Sequence, residues 1–407
     1  MRAPRPIVSR TAPSPQDIAS LGDIDPLHAR LYAMRGLRDA VELDYGLARL
    51  APVSALEHID EAAELVIKNR DQRILVVGDF DVDGATSTAL MLRCLHEFGF
   101  ADVGYLVPNR FEFGYGLTPE IVDVAAQQSP ALLITVDNGV SSIDGVARAN
   151  ELGIPVLVTD HHLPGSELPD AAVILNPNLA GSQFPSRNLA GVGVAFYLLA
   201  RIGRMLEERG QSGAAKIPAR YLDLVALGTV ADVVPLDHNN RILVQQGLSR
   251  MRAGHAVPGI IALLRQSGRS LARCVSSDLG FAVGPRINAA GRLEDIAVGI
   301  ECLLTDDANK AAECAHALDQ INKDRRDIEA TMREQAFRYV DALGEQRWPN
   351  CVCVFEPDWH QGVVGLIAAR VRERCYRPVI AFARENDDKL KGSARSIPGV
   401  HIRDLLE

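Results

Sequence analysis

Residues 74–84 read ILVVGDFDVDG: four apolar residues, a glycine, then aspartates at every second position, Asp79, Asp81 and Asp83. A continuous apolar run, rather than an alternating one, is how a strand buried on both faces reads. Working outward, the same form recurs as VGYLV at 103–107, ALLITV at 131–136, PVLVT at 155–159 and AAVIL at 171–175. Helical stretches separate these runs. In ATSTALMLRCLHEFGF, residues 85–100, Leu90, Met91, Cys94, Leu95 and Phe98 share one face. Strands alternating with helices predict an α/β domain with a doubly wound, mainly parallel sheet.

The chemistry collects where the runs end. Asp79, Asp81 and Asp83 follow the first, Asp137 follows LLITV, and Asp160, His161 and His162 follow VLVT. Asp232 ends a further apolar run in ALGTVADVVPL, residues 226–236. In open parallel sheets ligands bind outside the carboxyl ends of the strands, so these groups are expected at one edge. Alternate residues of an extended segment face the same way, which points the first three carboxylates to one side. Two such charges 4 Å apart repel by about 4 kcal/mol at an effective dielectric of about 20. Two divalent cations resolve that repulsion, and carboxylate with imidazole suits Mn²⁺ or Mg²⁺ better than structural zinc. A calcium loop of the EF-hand type is excluded, because it needs Glu at its twelfth position and counting from Asp79 that position is Leu90.

The rest of the 407 residues divides around this unit. Residues 1–50, Pro-, Ser- and Arg-rich at first, read as an N-terminal arm or cap, and 51–240 as the α/β domain. Residues 241–344 form a connector dense in arginine. It ends in a polar helix from about Asp306 to Ala342 without Gly or Pro. At 1.5 Å per residue that helix reaches about 55 Å, and with so little apolar surface it is expected to bridge two domains. From 345 to 407 a smaller α/β unit begins: CVCVFEPDWH as strand and loop, QGVVGLIAARVRERC as helix, RPVIAFAR as strand. No apolar run reaches the length of a membrane span, and the start lacks a signal-peptide core, so the expected compartment is the cytoplasm. The seven cysteines form no CxxC pair and read as small buried hydrophobes or inert thiols. A net charge of −9 argues against retention on nucleic acid by bulk charge alone, while leaving room for a local basic groove.

GDFDVDGATS, ITVDNG, VTDHH and ALGTVADVVPL together resemble the four motifs of the DHH phosphoesterase superfamily, with Asp160-His161-His162 as its eponymous triplet. VPNRFEFGYGL, AGVGVAFYL, GPRINAAGRLED, HQGVVGLIAARV and KGSARSIPG extend the resemblance to its RecJ-type family of single-strand-specific 5′→3′ exonucleases. The likeness runs from about residue 50 onward. It implies a DHH domain joined by a long helix to a DHHA1-type domain, here C-terminally truncated. Family members continue with a Gly/His-rich segment and an OB-fold domain. It implies two Mn²⁺ or Mg²⁺ ions at Asp79, Asp81, Asp83, Asp137, His161 and Asp232. Asp137 bridges them, Asp81 serves one, and Asp83, His161 and Asp232 serve the other. His162 faces the scissile phosphate, so Asp83, Asp137 and His162 carry the catalysis.

For nucleic acid the candidates are Arg110, then Arg286, Asn288 and Arg292 in GPRINAAGR, which looks like a rigid turn. By resemblance Lys391, Ser393, Arg395 and Ser396 join them. His360 and Gln361 lead the second domain's helix as contacts or caps. Phe111, Phe113 and Tyr115 either stack a base or pack in the core. The implied activity is exonucleolytic hydrolysis of single-stranded DNA in repair and recombination, by a monomer at the nucleoid beside single-strand binding protein and a RecQ-like helicase. The connector, long helix and second domain would form a channel too narrow for duplex. Two other readings stand beside it. One is a small-substrate phosphoesterase acting on oligoribonucleotides, cyclic dinucleotides or pyrophosphate. The other is a non-catalytic scaffold, which the complete set of Asp and His ligand positions opposes.

Overall fold

The computed structural model describes residues 9, 11–107, 114–344, 348–400 and 402. All five apolar runs are strands: β1 (Arg73–Gly78), β2 (Asp102–Leu106), β3 (Leu132–Val136), β4 (Val156–Thr159) and β5 (Val173–Leu175). They form one parallel sheet in the order β2-β1-β3-β4-β5. The chain leaves β1 toward one edge, then returns to place β3 on its other side. The crevice at that reversal lies between the carboxyl ends of β1 and β3, where a doubly wound sheet binds its ligand.

Successive strand residues feed two cores, as period-two geometry requires. Ile74, Val76, Ile134, Val136 and Leu157 join the larger core with the helices Ile59–Lys68, Val82–Glu97 and Gly191–Glu208. Leu75, Val77, Leu133, Val156 and Val158 join the smaller one with Pro119–Ala126 and Ile143–Glu151. Both faces are covered, which is why the runs carry no polar alternation.

Between β5 and residue 344 the regular elements are all helical among the described residues. ALGTVAD lies not on a strand but in the helix Leu222–Ala231, whose cap is Asp232. Leu222 through Thr229 are all buried in this helix. A short helix buried all round looks like a buried strand in sequence. GPRINAAGR is likewise the helix Gly284–Leu293 rather than a turn, entered through a π-turn at Leu279–Val283. Pro285 at its start and Gly291 inside it imitate turn chemistry.

The long helix runs Ala308–Leu343, about 54 Å. Ala315, Leu318 and Ile321 belong to the first domain's core, and Met332, Ala336 and Val340 to a second core. That second core is built on β6 (Val352–Phe355), β7 (Val379–Arg384) and β8 (Leu390–Arg395), with the helix Val364–Cys375 between β6 and β7. β6 pairs parallel and β8 antiparallel to β7. The bridging role expected of the helix is therefore what its packing performs. The cysteines divide: Cys94, Cys274, Cys302 and Cys375 are buried, whereas Cys351 and Cys353 are exposed. Val352 and Val354 take the inner face of the edge strand β6, which leaves both thiols outside.

Candidate metal centre and cleft

Asp79 follows β1 directly, and Asp81 caps the next helix, accepting from the N–H groups of Asp83 (2.8 Å) and Gly84 (3.1 Å). Asp83 is therefore not in an extended segment. It sits in the first helical turn and reaches the same site by helix geometry. A second helix start fixes it: the Gly191 and Val192 N–H groups donate to its carboxylate at 2.6 and 2.9 Å. These are unpaired donors at the head of Gly191–Glu208, a natural seat for negative charge. Glycines make the approach possible. A Cβ on Gly191 would lie 2.6 Å from that of Asp137, and one on Gly228 would lie 2.8 Å from Asp83 Oδ1.

Asp137 leaves β3 with φ +62°, and Val233, next to Asp232, has φ +64°. Left-handed backbone at a non-glycine costs energy, most of all at β-branched valine. Both strained residues border the carboxylate cluster. Asp160 ends β4 without joining that cluster. Its carboxylate accepts from the N–H groups of Val140, His161 and His162 and from His162 Nδ1 at 2.8 Å. Burial works against its charge, but the bond and charge of His162 together with the backbone donors hold its pKa below the ordinary value. In return Asp160 pushes His162 up to about 9. His162 thus turns Nε2 to the cleft, 3.4 Å from the Tyr115 hydroxyl.

His161 Nε2 lies 3.1 Å from Asp137 Oδ1, 3.5 Å from Asp232 Oδ2 and 4.0 Å from Asp83 Oδ2. Ligand atoms of Asp79, Asp81 and Asp137 fall within 4.8 Å of one another, as do those of Asp83, His161 and Asp232. Burial first, then neighbouring carboxylates, raises Asp83 and Asp137 well above the ordinary range, and burial raises Asp232. Burial also lowers His161, favouring the neutral imidazole. Asp137 Oδ1 and His161 Nε2 are buried without a hydrogen bond although they face each other. Buried polar atoms are rarely left so. Hard carboxylates and a neutral imidazole aimed at common points fit divalent cations of the Mn²⁺ or Mg²⁺ type.

The centre floors a cleft of about 290 Å³. One wall holds Asp79, Phe80, Asp81, Tyr115, Asp137, His162 and Asp232. The other holds Asn288 and Arg292 from the connector, then Gln361, Gly362, Val364, Gly365, Lys391, Ser393 and Arg395 from the second domain. Arg395 bonds to Ser393 Oγ (3.2 Å) and the Ala394 carbonyl, and burial, then Arg372, lowers its pKa. Among the described residues no carboxylate pairs with Arg395, and such a cation is suited to an arriving anion.

Two candidates lie elsewhere. Arg286 is turned away from the cleft, bonding Asp319 at 2.7 and 2.9 Å and the Ala282 carbonyl at 2.6 Å. Ser396 Oγ accepts from the Ile402 N–H. Arg110, with Phe111 and Phe113, lies outside the described residues. Tyr115 is exposed, its ring edge-on to Phe80 and His162. His360 Nδ1 accepts from the Gly362 N–H, and Gln361 donates to the Arg384 carbonyl. Sequence reasoning passed over Asp160 and the Gly191-Val192 N–H groups as supports, although AGVGVAFYL held the second signal in plain view.

The family model described as "DHH family, N-terminal domain" matches residues 73–229, and the DHHA1 domain model matches 349–407. The chain is 53% identical over 393 residues to the single-stranded-DNA-specific exonuclease RecJ of Salmonella typhimurium, and 51% identical to that of Escherichia coli. Each match covers 95% of this chain and 68% of the relative. The structure of RecJ with Mn²⁺ from Thermus thermophilus superposes with a TM-score of 0.81 at 32% identity, over 96% of this chain and 55% of that one. A manganese-bound exonuclease RecJ gives 0.74 at 33% identity, over 86% and 85% of the two chains. The chain thus spans about two thirds of its enterobacterial relatives and about half of the Thermus protein.

Proposed function

The chain belongs to the RecJ family of DHH proteins, and from that premise we propose that it hydrolyses single-stranded DNA from the 5′ end with two divalent cations. The observation that carries this reading is the pair of ligand trios meeting at Asp137 and His161, opposite a wall bearing Lys391, Arg292 and Arg395. Asp79, Asp81 and Asp137 would hold one Mn²⁺ or Mg²⁺ ion. Asp83, His161 and Asp232 would hold the other, with Asp137 shared. Two such ions supply an acidified water and charge compensation at the phosphorus and the leaving oxygen.

The chain's residues do the rest. The Gly191 and Val192 N–H groups keep Asp83 aimed at its site against the repulsion of Asp81 and Asp232. His162, held by Asp160, which raises its pKa, would donate from Nε2 to a phosphate oxygen or give its proton to the departing 3′-oxygen as the P–O bond breaks. Lys391, Ser393, Arg395 and Arg292 receive the phosphates, arginine suiting two-point contact. Tyr115 offers an exposed ring to a base. Asn288 joins them from its position in the cleft, while Arg286 holds the connector against the long helix.

Among the described residues no helix is long and apolar enough to cross a membrane. The working place of the enzyme is the cytoplasm, at the nucleoid, as a monomer beside single-strand binding protein and a RecQ-like helicase. The test is a Mn²⁺-dependent digestion of single strands labelled at either end, a blunt duplex and a short oligoribonucleotide. Mononucleotides released from the 5′ end of the single strand alone are expected. Turnover of the short substrate without the long one, persisting when the chain is extended to the length of its relatives, would replace this reading with a small-substrate phosphoesterase.

A further inference from the structure

The helix Val82–Glu97 begins inside the metal loop, so its first N–H groups need partners from outside the helix. Asp81 takes those of Asp83 and Gly84 with its own Oδ1. That leaves the Val82 N–H, between two of the carboxylates. Its acceptor comes from 206 residues away: Asn288 Oδ1, at 3.1 Å. The amide orientation is fixed, since an N–H donor requires the oxygen.

The helix carrying Asn288 lies flat against this loop. A Cβ on Gly284 would stand 4.0 Å from Val82, and one on Gly291 would stand 1.9 Å from the Phe80 carbonyl oxygen. The helix has no slack at its far end either, where Arg292 donates to the Gly362 carbonyl at 3.1 Å. With its oxygen committed to Val82, Asn288 has only its two N–H donors left for the cleft it lines. Among the described residues no acceptor takes them.

We infer that Asn288 is a positioning residue with two separable halves: its carbonyl oxygen holds the Asp81–Asp83 loop in ligating geometry, and its amide N–H groups serve the substrate phosphate. The inference rests on the two-cation reading above. It differs from a phosphate contact alone, because it places the larger effect on metal affinity. Partners one step removed from a metal ligand are worth about 10–100-fold in affinity.

Two variants separate the halves. Asn288→Ala removes both, and Asn288→Asp keeps an acceptor for Val82 while removing the donors. Mn²⁺ binding is followed by electron paramagnetic resonance on the DNA-free chain. Binding of a fluorescent single strand is followed by anisotropy, and melting is measured in EDTA. The expected result is two ions on the parent and affinity about tenfold weaker in Asn288→Ala. Asn288→Asp should bind Mn²⁺ at least as tightly as the parent but bind DNA more weakly. Melting in EDTA should distinguish Asn288→Ala from the parent far less than Mn²⁺ binding does. Parental Mn²⁺ affinity in Asn288→Ala, or equal losses in both variants, overturns the inference. A parent that binds no Mn²⁺ instead removes the reading on which it rests.

Discussion

Asp83 and Asp137, on the carboxylate wall of the cleft, are 1% and 2% exposed, and backbone N–H groups or rigid strand ends hold them. Across the cleft Lys391, Ser393 and Arg395 are half-buried on β8, which among the described residues pairs with β7 alone. The first wall gathers like charges in the dry interior, a costly arrangement unless cations compensate it. The second spreads cationic and hydroxyl groups in half-buried positions, where desolvation still acts on Arg395. The lesson is a division of labour. The wall proposed to hold cations is fixed at the expense of stability, and the wall proposed to receive DNA stays half-buried.

The division fails most visibly if Asp137→Asn behaves like ordinary core damage. The native Asp137 carboxyl takes up a proton well above the usual range, because of burial and then its acidic neighbours. Folding stability is therefore lost as pH rises from the unfolded carboxylate's pKa through the raised native one. An amide does not ionise and escapes that loss. The variant should lose hydrolysis altogether, yet melt higher than the parent in EDTA at about pH 7.5, with the gap closing on acidification. A lower melting temperature would make the carboxylate structural.

Asp223 sharpens the point at the start of the helix that ends in Asp232. Fully buried, it accepts from the Val257 N–H at 2.7 Å, and burial pushes its pKa up to about 6. Asp223→Asn keeps that acceptor and should stabilise the chain by up to about 3 kcal/mol above about pH 6. The gain should shrink from about pH 6 to the ordinary carboxylate value and vanish below it. Urea unfolding at about pH 7.5 and about pH 4 reads this directly, and a gain independent of pH would contradict it.

Arg286→Ala tests whether that guanidinium belongs to the cleft. Losing its bonds to Asp319 should cost about 2 kcal/mol of stability, while affinity for a single-stranded oligonucleotide stays at the parental value. Weakened DNA binding with unchanged melting would return it to the phosphate path. Arg395→Ala should do the reverse, weakening DNA binding about tenfold, as one charged hydrogen bond is worth, and sparing Mn²⁺ affinity. Equal loss of both would place it outside the DNA path.

What the sequence made legible follows from what is local. Five strands announced themselves as apolar runs, and Asp79, Asp137 and His161 were readable because each lies just beyond one. Asp232 was found from the right motif but on the wrong element, since a helix buried all round has no polar face to betray its period. β8 gave no strand signal, because LKGSAR is an edge segment with little β propensity. Arg286 and Asn288 share one helix and one motif, yet packing sends the first to Asp319 and the second to Val82. Partners 33 and 206 residues distant leave no trace in local pattern.

The claim beneath all of this is that Asp137 stands between two cations. Diffraction from crystals grown with Mn²⁺, with an anomalous map calculated at the manganese edge, tests it most directly. The account predicts two peaks, one among Asp79, Asp81 and Asp137 and one among Asp83, His161 and Asp232, with the Asp137 carboxylate touching both. A single peak, or two that the Asp137 carboxylate does not bridge, would contradict it.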